Sequence, residues 1–315
     1  MSHTTKPFRF GVNVPQIDVV RELSDAAREA EDLGYEVFSC PDHLNFPNTP
    51  LEPMAALAWA GAVTATIELQ PLVLANDFRY PALLAKQAAT LDLLSGGRFA
   101  LGLGAGWFGP DFQATDIPFH RPGVRIARLE EAIDIIRGLH RGEPFDYQGN
   151  HFTIAGMTGT PRPVREPIPL MIGASGPKML GLATRRADTV ALTLGLPIGM
   201  AKPDSPKPYA EITDRKVQWL RDAAGDQLPA LEIQTTVFGG GITGGDTGPL
   251  LAPLGDMLRV PVSEFDDCPH VLAGPLEHCV ETVKCWRERW GISYVTLPGQ
   301  MMREMAPLVA ALRGR

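Results

Sequence analysis

The chain lacks a basic surplus. Lys and Arg together number 29 against 36 Asp and Glu, a net charge of −7. A nucleic-acid partner calls for clustered cations to neutralise phosphates, so that class is disfavoured. Long apolar runs are also missing. The most apolar stretch, 53–75, is interrupted by Glu68 and Pro71, whereas a membrane helix needs about 20 apolar residues in a row. It reads as a buried helix followed by a strand. Cysteine is scarce: Cys40, Cys268, Cys279 and Cys285 form no CxxC pair. Buried free thiols in a cytoplasmic chain are the expectation. The opening residues 1–7 carry no apolar signal core. No internal repeat is present. No HxH or comparable ligand cluster follows the strands, so no metal site is expected and a metal-dependent barrel hydrolase finds no support.

What the chain has is alternation. Its 315 residues, 44% hydrophobic and 21% charged, suit one large α/β barrel or two ordinary domains. Strand patterns at 8–14, 36–40, 67–75, 99–104, 168–172, 189–194, 231–238 and 292–297 are separated by helical patterns. The helices are expected at 19–33, 54–66, 81–94, 126–139, 178–186, 208–224, 276–290 and 301–312. Strands apolar on both faces belong to parallel sheets covered by helices. Eight such units fit a single (β/α)8 TIM barrel, an α/β fold spanning residues 1–315 with no linker. A small hairpin is expected around Gln148-Gly-Asn150. Two Pro- and Gly-rich loops, 196–207 and 239–275, follow the sixth and seventh strands. That is the face on which barrels build active sites, and loops this long often serve as lids.

Polar residues just past the strand ends are therefore the first suspects. Asp42-His43 follows the second strand. It reads either as a helix cap with a surface imidazole or as a proton-transfer pair, since imidazole titrates near neutrality. His120, His140 and His151 are weaker candidates. The third strand runs into Leu72-Val73-Leu74-Ala75-Asn76. The fourth ends in Gly102-Leu-Gly104-Ala105-Gly106-Trp107. Its GxGxG spacing is not the dinucleotide fingerprint, and Pro110 leaves no clean helix start. Glycines here let a flat ligand approach the backbone, with Trp107 as a wall or, alternatively, a core residue in a tight turn. Gly173-Ala174-Ser175-Gly176-Pro177-Lys178 follows the fifth strand at a helix start. Freed backbone N–H groups and the helix dipole make it a phosphate grip or an ordinary capped helix.

Together these segments resemble the luciferase-like oxidoreductase superfamily, and within it the branch dependent on the deazaflavin coenzyme F420. The resemblance covers nearly the whole chain. Residues 79–107 carry its most specific stretch, including Leu94-Ser-Gly-Gly-Arg98. The resemblance implies hydride transfer between F420 and a small organic substrate, with His43 moving the proton. Asp42 would contact the cofactor or brace His43. Leu72 and Val73 match a third-strand bulge that often contains a non-proline cis peptide behind the ring. Ala75, Asn76, Gly104, Ala105, Gly106, Trp107 and residues 173–178 would hold ring and phosphate. There are departures. Some relatives place a Glu where this chain has Trp107. Lysines that hold sugar phosphate near the sixth and seventh strands have no counterpart in 192–195 or 235–238. A neutral or apolar substrate is implied instead. The alternatives are an FMN-dependent monooxygenase on the same scaffold and a non-catalytic flavin-binding barrel. A cytoplasmic homodimer is expected.

Overall fold

A computed structural model describes residues 6–14, 20–46, 51–193, 209–258, 261–265 and 267–315. The strands are β1 (Arg9–Asn13), β2 (Val37–Cys40), β3 (Glu68–Pro71), β4 (Leu74–Ala75), β5 (Leu101–Gly104), β6 (Pro144–Gln148), β7 (Thr153–Thr158), β8 (Leu170–Ala174), β9 (Thr189–Leu192), β10 (Glu232–Thr236), β11 (Gly239–Ile242), β12 (Val271–Gly274) and β13 (Ile292–Leu297). The helices are α1 (Val20–Asp32), α2 (Pro53–Val63), α3 (Pro81–Leu94), α4 (Gly109–Thr115), α5 (Pro122–His140), α6 (Pro177–Arg186), α7 (Tyr209–Ala224), α8 (Gly248–Leu258), α9 (Leu276–Trp290) and α10 (Met302–Leu312). The fold is the (β/α)8 barrel.

Proline places many of the helix starts. Pro53, Pro81, Pro110, Pro122 and Pro177 sit in the first turns of α2 to α6. There the fixed φ suits the helix and the missing N–H is not needed. Glu52 adds a cap to α2, its carboxylate accepting from the Ala55 N–H at 2.7 Å. Gly291 ends α9 at a φ of 76°, a left-handed position that favours glycine.

By internal contacts the chain divides into two compact units. In the unit of Gln16–Arg28 and Val37–Gly173, β2 pairs in parallel with β3, Val37 lying opposite Glu68. β5 pairs with β4 and with β8, and Leu69 of β3 bridges Phe99 just ahead of β5. β3 and β4 are thus two halves of one strand, parted at Leu72 and Val73, whose peptide bond is cis. Among the described residues, counting them together reduces the nine parallel strands to the eight expected. The antiparallel β6–β7 hairpin stands where the Gln148-Gly-Asn150 turn is expected.

In the unit of Met1–Pro15, Glu29–Glu36 and Ala174–Arg315, β13 lies between β1 and β10, and β10 also pairs with β9. β13 is buried along its whole length. The expected long loop at 239–275 is in fact folded. β11 and β12 pair in parallel, Gly239 opposite Val271, and α8 lies between them in sequence. Tyr209, Leu251, Leu254, Phe265, Cys268 and Val271 give this region a small core of its own. Its glycines mimic loop composition for a packing reason. A Cβ on Gly240 would run into the Leu272 carbonyl, and one on Gly241 into the Glu304 carboxylate. The other expected loop, 196–207, lies outside the described residues. Of the four free cysteines, Cys40, Cys268 and Cys279 are buried, but Cys285 is exposed.

Part of the 79–107 stretch is structural cement. Arg98 donates to the Ser95, Ile67 and Gly61 carbonyls at 2.8, 3.0 and 2.9 Å, and to Thr64 Oγ1 at 3.1 Å. It thereby ties the end of α3 to the turn between α2 and β3. Fully buried Asp92 accepts from the Val164 and Arg165 N–H groups at 2.6 and 2.9 Å. Arg98→Met keeps the aliphatic stem but leaves several carbonyls without a donor. It is expected to lower the unfolding free energy by roughly 2–4 kcal/mol. Urea denaturation checks this, and an unchanged midpoint would contradict it.

Candidate active site

Asp42 and His43 follow β2 and face different partners. Asp42 is buried, and its oxygens are taken by the chain itself. Oδ2 accepts from the Ala75 N–H at 2.9 Å and from Arg79 Nη1 at 2.6 Å, and Oδ1 from Arg79 Nη2 at 3.0 Å. Arg79 also reaches Glu52 at 2.6 Å. A buried carboxylate held by a forked guanidinium and a backbone amide is a rigid junction. It fixes where β4 ends and where Asn76 begins. Asn76 is buried beside Asp77, whose Oδ1 accepts from Arg128 Nε at 2.7 Å.

The carboxylate on the His43 ring is therefore Asp111, not its neighbour Asp42. His43 Nδ1 lies 2.8 Å from Asp111 Oδ2, and Asp111 is buried. Asp111 Oδ1 also accepts from the Leu44 and Asn45 N–H groups, at 3.2 and 2.7 Å. A carboxylate accepts, so Nδ1 carries the hydrogen, and in the neutral ring Nε2 keeps the lone pair. Three aromatic rings surround the imidazole. Phe46 stacks on it at 4.7 Å between centroids, and Trp107 and Phe108 meet it edge-on, each at 5.6 Å. Trp107 is 47% exposed, so it is not a core residue. Asp111 belongs to α4, a helix that begins where the sequence reading finds no clean start. Pro110 opens that helix instead of obstructing it. Asp111 lies 68 residues from His43, and only the folded chain brings the two together.

The glycines of the fourth strand have a first tenant in the protein itself. A Cβ on Gly104 would sit 2.9 Å from Val73 Cγ2, and one on Gly173 would sit 3.0 Å from the same atom. Gly102 faces Val73 as well, at 3.2 Å, and would clash with the Pro71 carbonyl. These glycines make room for the Val73 side chain, which the break at Leu72-Val73 turns toward them. Gly106, at a φ of 74°, seats itself against Phe112.

In the other unit, Ala174, Ser175 and Gly176 lead into α6. Gly176 is the N-cap and carries no side-chain cap. A Cβ there would meet nothing within 4 Å, so the glycine leaves open room at the helix N-terminus. Such a cradle suits a phosphate group. Lys178 is exposed. Two buried histidines elsewhere have structural roles. His140 is buried with Nε2 3.0 Å from the Ala85 carbonyl. His270 Nδ1 lies 2.9 Å from the Thr236 carbonyl, and burial lowers its pKa to about 4. Among the described residues no group of three or more His, Cys, Asp or Glu is placed to hold a metal ion.

Residues 2–202 match the family described as luciferase-like monooxygenase. The chain belongs to this family. An F420-dependent glucose-6-phosphate dehydrogenase of Nakamurella multipartita is 32% identical over 242 residues, which are 73% of this chain and 66% of that protein. An uncharacterised Mycobacterium tuberculosis relative is 33% identical over 179 residues, 50% of this chain and 61% of its own length. The chain thus matches about two thirds or less of these curated relatives. Among solved structures, an F420-dependent secondary alcohol dehydrogenase, in complex with an F420–acetone adduct, superposes with a TM-score of 0.79 at 19% identity. The match covers 98% of this chain and 99% of that one. EDTA monooxygenase from Chelativorans sp. BNC1 gives 0.76 at 14% identity, covering 97% and 94%. The two structures share the fold.

One lysine of this luciferase-like protein escaped the strand-end windows. Lys216, on the buried face of α7, donates to the carbonyl of Thr193, just past β9. Burial lowers its pKa to about 8, and no carboxylate pairs with it among the described residues. The unfolded chain holds this proton up to about pH 10.5, the ordinary value, and the folded chain only to about 8. Between those values the unfolded state binds more protons, so this group's contribution to stability rises with pH. Lys216→Met removes the dependence. From pH 7 to 10.5, the stability of wild type relative to the variant should rise by roughly 3 kcal/mol. Paired denaturation curves at several pH values measure it, and a flat difference would show that the ammonium bears no burial penalty.

Proposed function

We propose that the protein transfers a hydride between coenzyme F420 and a small, neutral or apolar organic substrate, with His43 as the proton-transfer residue. One observation carries this reading. His43 donates through Nδ1 to a buried carboxylate, which leaves Nε2 as a base within an aromatic enclosure. The uncapped, roomy start of α6 fits a phosphorylated cofactor. The F420-dependent relatives support the choice of deazaflavin. F420, when bound, supplies a hydride carrier that reacts poorly with dioxygen, and the protein supplies orientation.

The chain's own residues divide the remaining work. Asp111 holds the His43 ring in one tautomer and orientation. Nε2 takes the proton from a substrate hydroxyl in the oxidative direction and returns it in the reductive one. Phe46, Trp107 and Phe108 exclude water and favour an apolar substrate over a charged one. Val73, packed on Gly104 and Gly173, together with Ala75 and Asn76, would back the cofactor ring. Asp42 anchors that segment through Ala75 and Arg79 rather than touching His43. Gly173 to Lys178 would hold the phosphate.

We further infer a cytoplasmic homodimer. Trp59 on α2 and Leu83, Leu93 and Leu94 on α3 are large apolar side chains left about half exposed or more, as a subunit interface would leave them. The free cysteines agree with a reducing compartment. No described helix is long and apolar enough to cross a membrane.

Titrating purified protein with F420 and with FMN, followed by fluorescence, tests the cofactor. Saturable F420 binding is expected, and tight FMN binding without F420 binding would turn the reading into a monooxygenase. In a substrate screen with the loaded protein, His43→Ala should lower turnover by about 10²–10⁴-fold while F420 affinity stays within a few-fold. Unchanged turnover would remove His43 from the mechanism. Binding with no turnover on any substrate would favour a non-catalytic flavin-binding protein.

A further inference from the structure

Two aromatic planes stand at right angles to the His43 ring. Trp107 and Phe108 meet it at 88° and 89°, while Phe46 covers one of its faces at 28°. Asp111 takes the Nδ1 edge. Phe46 and Phe108 are half-buried, but Trp107 is exposed, as is Leu44 beside His43 in the chain. Other tryptophans commit the indole N–H to the protein. Trp59 Nε1 donates to Ser24 Oγ at 2.8 Å and Trp290 Nε1 to Asp214 Oδ1 at 2.7 Å. The Trp107 N–H has no partner among the described residues. Its backbone is nevertheless fixed. Gly106, at a φ of 74°, sits against Phe112 of α4, the helix that also carries Asp111. One helix thus positions both the imidazole and the chain from which the indole stands.

We propose that Trp107 is a specificity-determining residue, and that the substrate is an aryl carbinol or aryl ketone with its planar ring on the carbon that exchanges hydride. This deepens the hydride-transfer reading and rests on it. Oxidation of the carbinol to the ketone releases a hydride, to the deazaflavin, and a proton, to His43 Nε2. Apolar area alone would accept an alkyl group equally well, so the arrangement of the rings decides. Trp107 and Phe108 are tilted 59° to each other at 5.3 Å, and present two planes instead of one flat surface. A substrate ring laid parallel to one is inclined to the other, and stacked and edge-to-face contacts are the two that aromatic pairs favour. Such pairs gain beyond area burial, roughly two- to tenfold in affinity.

Nitrogen-15 NMR of tryptophan-labelled protein tests this, with the Trp107 indole N–H assigned by its absence in Trp107→Leu. Acetophenone is titrated against 1-cyclohexylethanone, its saturated equivalent, with and without F420, and ligand-observed NMR gives the affinities of the variants. Acetophenone should shift the Trp107 resonance saturably and bind about two- to tenfold more tightly than the saturated ketone. Trp107→Phe should keep most of that preference and Trp107→Leu should lose it. Equal affinities, a Trp107 resonance that neither ketone moves, or a preference that survives in Trp107→Leu would each overturn the proposal. Loss of ketone binding on saturation with F420 would assign the indole to the cofactor and overturn it as well. Turnover separates the proposal from the reading beneath it. The ratio of kcat/KM for 1-phenylethanol over 1-cyclohexylethanol should follow the same pattern across the variants. With the binding preference intact and neither alcohol turned over, the hydride-transfer reading would fall by itself and Trp107 would stand as an aryl-binding residue.

Discussion

A hydrogen bond of 2.8 Å between His43 and Asp111 sets what the candidate site can do. Histidine is ambiguous until one nitrogen is committed, because either can carry the hydrogen. Asp111 commits Nδ1. The same carboxylate also collects the amides of Leu44 and Asn45, so the loop after β2 and the ring it carries are fixed together. Phe46, Trp107 and Phe108 close around the ring once its orientation is set. Without the carboxylate, the ring would have two tautomers and a freer side-chain torsion. The aromatic walls would then enclose a base of uncertain direction.

The second constraint is the break at Leu72-Val73. It splits the third strand and swings Val73 against Gly102, Gly104 and Gly173. Asp42 then pins the restarted strand through Ala75 and Arg79. The consequences reach both faces of one sheet. Glycines on one face receive Val73, and Leu101 and Leu103 on the other are buried in the core. A substitution such as Gly104→Ala would trade space on the first face and leave the second intact.

Much of this was legible in the residues. Eight alternating patterns gave the barrel, since a parallel strand buried on both faces differs plainly from an amphipathic helix. Asp42-His43 stood out by position at a strand end. Other parts were hidden for physical reasons. Asp111 lies on a short helix 68 residues from its partner, and a lone Asp after Gly-Pro looks like an ordinary first-turn residue. The 239–275 stretch read as loop because its glycines serve close packing of β11 against β12, not freedom. Lys216 leaves no signal at a strand end because it reaches the end of β9 from the middle of α7. The Leu94-Ser-Gly-Gly-Arg98 motif pointed to the family, yet Arg98 works as a tether between α3 and β3 and not in the site.

The claim on which the account rests is the tautomer of His43, and it is measurable without cofactor or substrate. Nitrogen-15 NMR of histidine-labelled protein, with His43 assigned by its absence in His43→Ala, reports which ring nitrogen bears the hydrogen. The account predicts that the neutral ring is protonated on Nδ1 and that Asp111→Ala loses this preference. A neutral ring protonated on Nε2 in the wild-type protein would contradict it.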